Sequence, residues 1–312
     1  MENKTQSQYF EIALLVILAF LWGSSFTLIK VSVETVPPAT TVLLRVALGA
    51  AILLLFMRIK RMPLPSSPAL WAAFSLQGLL QCALPFTLIS WGETYIDSGL
   101  AGLLNSTPPL FAFLITFFIL KQGTAPFRNF IGIIIGFCGV LICLGPTILN
   151  GFSENSWAQI AVTGSSLSYA VAAIYARRFS DQPVLVTAAC SMTMATLMMI
   201  PMSLILDEPW TLQPSNESLA SITALGVLST ALAMIIYFRL IKSLGAIGVT
   251  SGSYLRAGFS LLLGAIFLEE TFSTNLMVGL ILILFSVAVV TGQIDLLLSR
   301  FIGEKAIQGP KN

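Results

Sequence analysis

Arg256 and Arg45 each interrupt a long apolar stretch of this 312-residue chain, where a charged side chain needs a reason. A guanidinium in such a place can hold a carboxylate or phosphate through two parallel hydrogen bonds. It can also satisfy carbonyls and hydroxyls of neighbouring segments, and residue type alone leaves both readings open. Other groups able to meet a small molecule share these apolar runs: Trp22, Gln77, Gln81, Asn105, Thr107, Ser168, Tyr169, Ser253 and Tyr254. Gln77 and Gln81 are one helical turn apart, which places them on one face. Pro108 and Pro109 cannot donate a backbone hydrogen bond, so carbonyls before them need other partners. That is the chemistry of a broken-helix binding element or of a packing kink.

Other chemistries lack their residues. There is no histidine, which removes histidine metal sites, triads and proton relays. Cys82, Cys138, Cys143 and Cys190 form no CxxC and read as small buried hydrophobes. No phosphate-binding GxxxxGK[ST] loop occurs. No catalytic residue, metal site, cofactor or nucleic-acid partner is expected, and the protein is not expected to be an enzyme.

The elements that position these residues follow from composition. The chain is 56% hydrophobic and only 10% charged, against about 25% charged in soluble domains. Most of its surface must therefore face lipid. A span needs roughly 20 apolar residues and must be helical, because hydrocarbon offers the backbone no hydrogen bonds. Ten such runs lie near 11–30, 39–57, 70–92, 98–120, 128–146, 157–177, 184–205, 219–240, 246–268 and 275–297. The first is expected to remain a span, since no basic start or cleavage site marks it as a signal peptide. Trp22 then lies too deep for an interfacial belt, and its N–H needs a partner. Arg256 lies roughly 15 Å deep at 1.5 Å per residue. An arginine there costs at least about 2.5–3.5 kcal/mol to insert, so it should face protein or a wet cavity. Arg45 is closer to a span end and can snorkel or brace a gate. Lys30 is expected at the interface. Gly132 and Gly136 indicate close packing of the fifth span, within one bundle or between copies. The oligomeric state is left open.

Charge sets an expected orientation. Of the 16 basic residues, all but Lys30, Arg45 and Arg256 fall on one side of the spans, which should be the cytoplasmic side. Nine of the 14 acidic residues, including Glu93, Asp207, Glu269 and Glu270, fall on the other. Both termini are then cytoplasmic. No Asp or Glu lies mid-span, so coupling falls to substrate charge, exchange, or Glu93 or Glu269 near the outer side.

The chain also repeats. An offset of 148 places Gly78 on Gly226, Phe111 on Phe259 and Leu120 on Leu268. Residues 1–148 and 149–312 read as two five-helix repeats, the second ending in a cytoplasmic tail. Five spans is an odd number, so consecutive copies insert with opposite orientation. Inverted repeats suit alternating access around a site between the halves.

Four sequence features carry a family resemblance. They are Trp22-Gly23-Ser24-Ser25-Phe26, Pro37-Pro38 with Arg45, Ser98 to Leu104 leading to Pro108-Pro109-Leu110-Phe111, and Leu263 to Glu270 followed by Gly279. Together they resemble the ten-helix EamA branch of the drug/metabolite transporter superfamily. The resemblance implies an all-α membrane protein of two inverted five-helix repeats in the bacterial inner membrane. It implies movement of amino acids, related metabolites or drugs, most readily export; import of a vitamin or nucleotide-like nutrient is the alternative. The expected partners are a small-molecule substrate and the lipid bilayer. Two departures stand out. Family members carry prolines at matching places in the fourth and ninth helices, but Pro109 is matched here by Ala257 beside Arg256. The glutamate expected after the fourth helix is Lys121-Gln122, whereas Glu269 is kept after the ninth. Candidate binding residues are thus Arg256, Trp22, Asn105, Thr107, Gln77, Gln81, Tyr169, Ser253 and Tyr254. Arg45, Glu93, Pro108, Pro109 and Glu269 are candidates for gating or coupling.

Overall fold

A computed structural model describes residues 2–121, 127–144, 154–250 and 252–290. The described residues are helical throughout their regular structure, with no strand among them. Six helices are long and apolar enough to cross a membrane by themselves: Tyr9–Val33, Pro38–Ile59, Pro68–Gly92, Ser98–Ile119, Val184–Leu206 and Asn216–Gly245. They are the first, second, third, fourth, seventh and eighth spans. The fifth (Phe127–Leu144), ninth (Ser253–Phe267) and tenth (Thr274–Val290) are shorter. The sixth, Glu154–Tyr175, is long but more polar, because Ser165, Ser166 and Ser168 are buried inside the bundle. The tail expected after the tenth span lies outside the described residues.

The packing shows the duplication. The second span lies against the seventh, and the fifth against the tenth. The first span packs on the ninth and eighth, as the sixth packs on the fourth and third. Exchanging the halves therefore maps these contacts onto each other. Gly78 abuts the backbone of the seventh span at Ser191, while Gly226 abuts Leu48 of the second. The fifth-span glycines serve this bundle: Gly136 meets Ser286 and Leu110, and the Gly132 carbonyl accepts from Ser286 Oγ at 2.6 Å.

Two backbone irregularities recur at the same offset. Residues Leu79–Ala83 of the third span and Val227–Leu232 of the eighth form wide π-type turns. Such turns free carbonyls and turn side chains out of α register. Ser168 Oγ donates to the freed Leu80 carbonyl at 2.8 Å, and Arg45 Nη2 reaches the Ser229 carbonyl at 3.4 Å. The fourth span breaks between Leu104 and Pro108, and the ninth between Thr250 and Ser253. Gly245 (φ 71°) makes the corner between the eighth and ninth spans.

The bundle has two chemically distinct ends. One carries Glu34, Glu93, Asp97, Asp207, Glu208, Glu269 and Glu270, and is called the acidic end. The other carries Arg58, Lys60, Arg61, Arg177, Arg178, Arg239 and Lys242, and is called the basic end. Two cysteines depart from expectation. Cys82 and Cys190 are buried, but Cys143 is half-buried and Cys138 is exposed on the fifth span, whose inner face is taken by the tenth.

Candidate functional site

A narrow cavity of about 30 Å³ lies between the halves. The first span contributes Leu15, Leu18 and Trp22; the third Gln81; the sixth Tyr169 and Ala173; the eighth Tyr237; and the break of the ninth Ser253 and Arg256. Pro108 supplies the wall at the fourth-span break. The lining runs from mid-span, where Trp22, Gln81 and Pro108 lie, toward the basic end, and no lining residue lies near the acidic end.

Gly23 explains how Trp22 comes to stand beside Arg256. A Cβ on Gly23 would lie 2.5 Å from Phe259 Cβ and 2.9 Å from the Arg256 carbonyl. Only glycine lets the first span come this close to the ninth. The Arg256 guanidinium then lies 6.0 Å from the Trp22 ring centre and 5.8 Å from that of Tyr169, within cation–π range of both. Trp22 and Tyr237 pack at 5.5 Å between centroids.

Arg256 also mends the fourth span. Its Nη2 donates to the Asn105 carbonyl, which the Asn105–Thr107 break leaves without a helical partner, and to Ser253 Oγ at 3.4 Å. Asn105 Nδ2 in turn donates to Ser165 Oγ at 2.5 Å and Ser166 Oγ at 3.3 Å. The arginine thus satisfies a freed carbonyl and still has donors in reserve among its five N–H groups. Its Nε is buried with no partner. Trp22 Nε1, Gln81 Oε1 and Tyr237 Oη are unpartnered as well. Four polar atoms of cavity residues therefore lack partners, although buried polar groups are normally hydrogen-bonded.

The structure brings Arg256, Trp22, Gln81, Tyr169, Ser253 and Pro108 together at this cavity. The other candidates stand elsewhere. Gln77 is fully buried with an unpartnered amide, but it does not line the cavity. The π-type turn from Leu79 to Ala83 begins between Gln77 and Gln81, and only Gln81 reaches the cavity. Asn105 acts through its carbonyl and its serine partners rather than as lining. Thr107 Oγ1 donates to the Leu104 carbonyl at 3.1 Å, which keeps it local to the break. Pro109 is buried one residue inside the helix. Arg45 is buried against the Phe86 ring at 3.8 Å and donates to Thr230 Oγ1 at 2.8 Å, which fixes it as a cross-half brace. The side chain of Tyr254 lies outside the described residues.

The acidic end is closed by bonds between the halves. Ser98 N–H and Gly99 N–H donate to the Glu270 carboxylate at 2.7 and 2.9 Å, capping the fourth span. Thr40 N–H donates to Asp207 Oδ2 at 2.6 Å, capping the second. A carboxylate suits a helix N-terminus both by dipole and by its unpaired N–H groups. Lys30 Nζ is not at a free interface but donates to the Glu93 and Ile96 carbonyls, both at 2.8 Å. Glu93 itself is buried behind it. Glu269, the expected gating residue, is exposed in a left-handed turn (φ 54°), and that turn directs its neighbour Glu270 onto the cap. Tyr237, Glu270 and Asp207 are the site and closure residues that residue type did not single out. Gly99 and Gly264 leave room for Glu270, since a Cβ on either would crowd its Oε2.

Two consecutive matches to the EamA-like transporter family model cover residues 9–145 and 156–292. The chain belongs to the EamA-like transporter family. It is a multi-pass membrane protein and a transporter. It is 28% identical over 277 residues to the uncharacterized inner membrane transporter YedA of Escherichia coli (strain K12), covering 88% of each chain. It is 22% identical over 267 residues to the uncharacterized transporter YoaV of Bacillus subtilis (strain 168), covering 85% of this chain and 91% of that one. A solved crystal structure at 19% identity superposes with a TM-score of 0.64, covering 90% of this chain and 97% of the other. That likeness concerns the fold. Both repeats of this EamA-like transporter thus fall within the matched residues, with the cavity between them.

Proposed function

We infer that this EamA-like transporter moves small metabolites that join an anionic group to an apolar or aromatic body, such as amino acids and their relatives. The observation that carries this reading is the set of unpartnered polar atoms around the cavity: Arg256 Nε, Trp22 Nε1, Tyr237 Oη and Gln81 Oε1. Three offer hydrogen-bond donors beside a guanidinium, which suits a carboxylate. The walls of Trp22, Tyr169, Leu15, Leu18 and Val249 suit an apolar side chain.

Movement is by alternating access. The inverted halves supply two related conformations, and the bonded acidic end with a cavity extending toward the basic end corresponds to one of them. The excess of Lys and Arg assigns the basic end and both termini to the cytoplasm, in the bacterial inner membrane. A cavity reached from the cytoplasm loads substrate for export.

The test is transport of a carboxylated amino acid and its amide by vesicles containing the protein. The acid should be favoured by about tenfold or more, equivalent to about 1.4 kcal/mol, and Arg256→Ala should lose this preference. Equal transport of acid and amide by the parent protein would overturn the reading.

A further inference from the structure

Glu93 is the first residue beyond the third span and is 0% exposed. Neither of its carboxylate oxygens has a hydrogen-bond partner. Lys30, the cation that acts on them most, donates through Nζ to the Glu93 and Ile96 carbonyls and not to the carboxylate. Three charged groups act on Glu93 from other elements: Lys30 from the first span, Glu270 from the turn after the ninth, and Arg45 from the second. Burial pushes its carboxyl well above the usual carboxylate range; Lys30 and Arg45 oppose the rise and Glu270 adds to it.

An ionised carboxylate without hydrogen bonds is far more costly to bury than a neutral acid. The closed arrangement therefore suits the protonated form. Separation of Glu270 from Ser98 and Gly99 would admit water to the same place. It would also release Lys30 from its two carbonyls, so that an ionised Glu93 could pair with it.

We propose that Glu93 is a proton-binding site whose protonation closes the acidic end of the bundle. The proton comes from water on the acidic side and returns there when that end opens; no other bond is made or broken. The closed form binds the proton more tightly than the open form, so closure is favoured as pH falls. It is lost as pH rises above the ordinary carboxylate range, through the raised value of the buried acid. The acidic end would act as a transport gate only under the alternating-access reading, whereas its opening can be measured with no substrate present. Failure of one is thus distinguishable from failure of the other.

The experiment reads alkylation of Ile96→Cys, a buried position on the closed segment, in nanodiscs with the four native cysteines replaced by alanine. Thr94→Cys, exposed on the same segment, corrects for the pH dependence of the thiol itself. The corrected Ile96→Cys rate should rise about fivefold or more between about pH 5.5 and 8. Adding Glu93→Gln, which cannot ionise, should keep the rate low and flat with pH. A flat profile in the parent, or the same rise with Glu93→Gln, overturns the proposal. If Glu93→Gln does not give a monodisperse protein, Glu93→Asp decides: a displaced midpoint supports the proposal and an unchanged one overturns it.

Discussion

The fourth and ninth spans both break, about one turn apart in the repeat register, and the break in the fourth is satisfied by a side chain of the ninth. In the fourth, Asn105-Ser106-Thr107 interrupts the helix before Pro108 and Pro109, leaving a carbonyl in need of a donor. In the ninth, the place matching Pro108 holds Arg256, and its guanidinium supplies that donor. One copy of the repeat thus contains the defect and the other the group that satisfies it. Duplication made the two sites equivalent, and divergence made them complementary. The same contrast appears in the two ends of the bundle. Glu270 and Asp207 cap helices across the halves at the acidic end. At the basic end, the third and seventh spans begin at Ser67 and Pro183 with no side-chain cap.

Substitutions at paired glycines sharpen the contrast between copies. The largest effect is expected for Gly23→Ala, whose methyl would press on Phe259 and on the Arg256 carbonyl. Transport should fall by about tenfold or more as Arg256 is displaced. Gly164→Ala, in the Gly164-Ser165-Ser166 of the sixth span that matches Gly23-Ser24-Ser25 of the first, faces open space and should transport like the parent. Similar losses at both would remove the special standing given to the first–ninth crossing. A smaller difference should separate the π-turn glycines. Gly78→Ala meets the backbone carbonyl of Ser191 and should lose about 1–3 kcal/mol in a denaturation measurement. Gly226→Ala meets Leu48 at 2.7 Å, less closely than Gly78→Ala meets the Ser191 carbonyl at 2.3 Å, so its loss should be the lesser of the two. The smallest effect is expected at Glu269→Gly. Relief of the left-handed backbone should raise stability by about 1 kcal/mol, with the Glu270 cap retained.

Much of this architecture was legible because hydrocarbon imposes a strong rule on sequence. Apolar length gave the spans, and a steady offset gave the repeat. Arg256 and Trp22 stood out because a charge and an indole N–H at that depth require partners. The identity of those partners did not follow, since the carbonyl freed before Pro108 carries no mark of the side chain that reaches it. Gln77 and Gln81 illustrate another limit. Their spacing does not say which of them reaches the cavity, and no residue type announces the π-type turn that begins between them. Tyr237 reads as one aromatic among many until the fold sets it against Trp22. Glu269 and Glu270 differ in role because a single backbone dihedral sends one carboxylate outward and the next onto a helix end.

The matched π-type turns have a historical consequence. They occupy the same register in both copies, Leu79–Ala83 and Val227–Leu232, with Gly78 and Gly226 immediately before them. The widened turn therefore belonged to the ancestral five-helix unit before it doubled. Each descendant then inherited a carbonyl in search of a donor, and each recruited a different one from the other copy: Ser168 of the second copy for Leu80, and Arg45 of the first for Ser229. The fold kept the ancestral irregularity, and what evolved was its company.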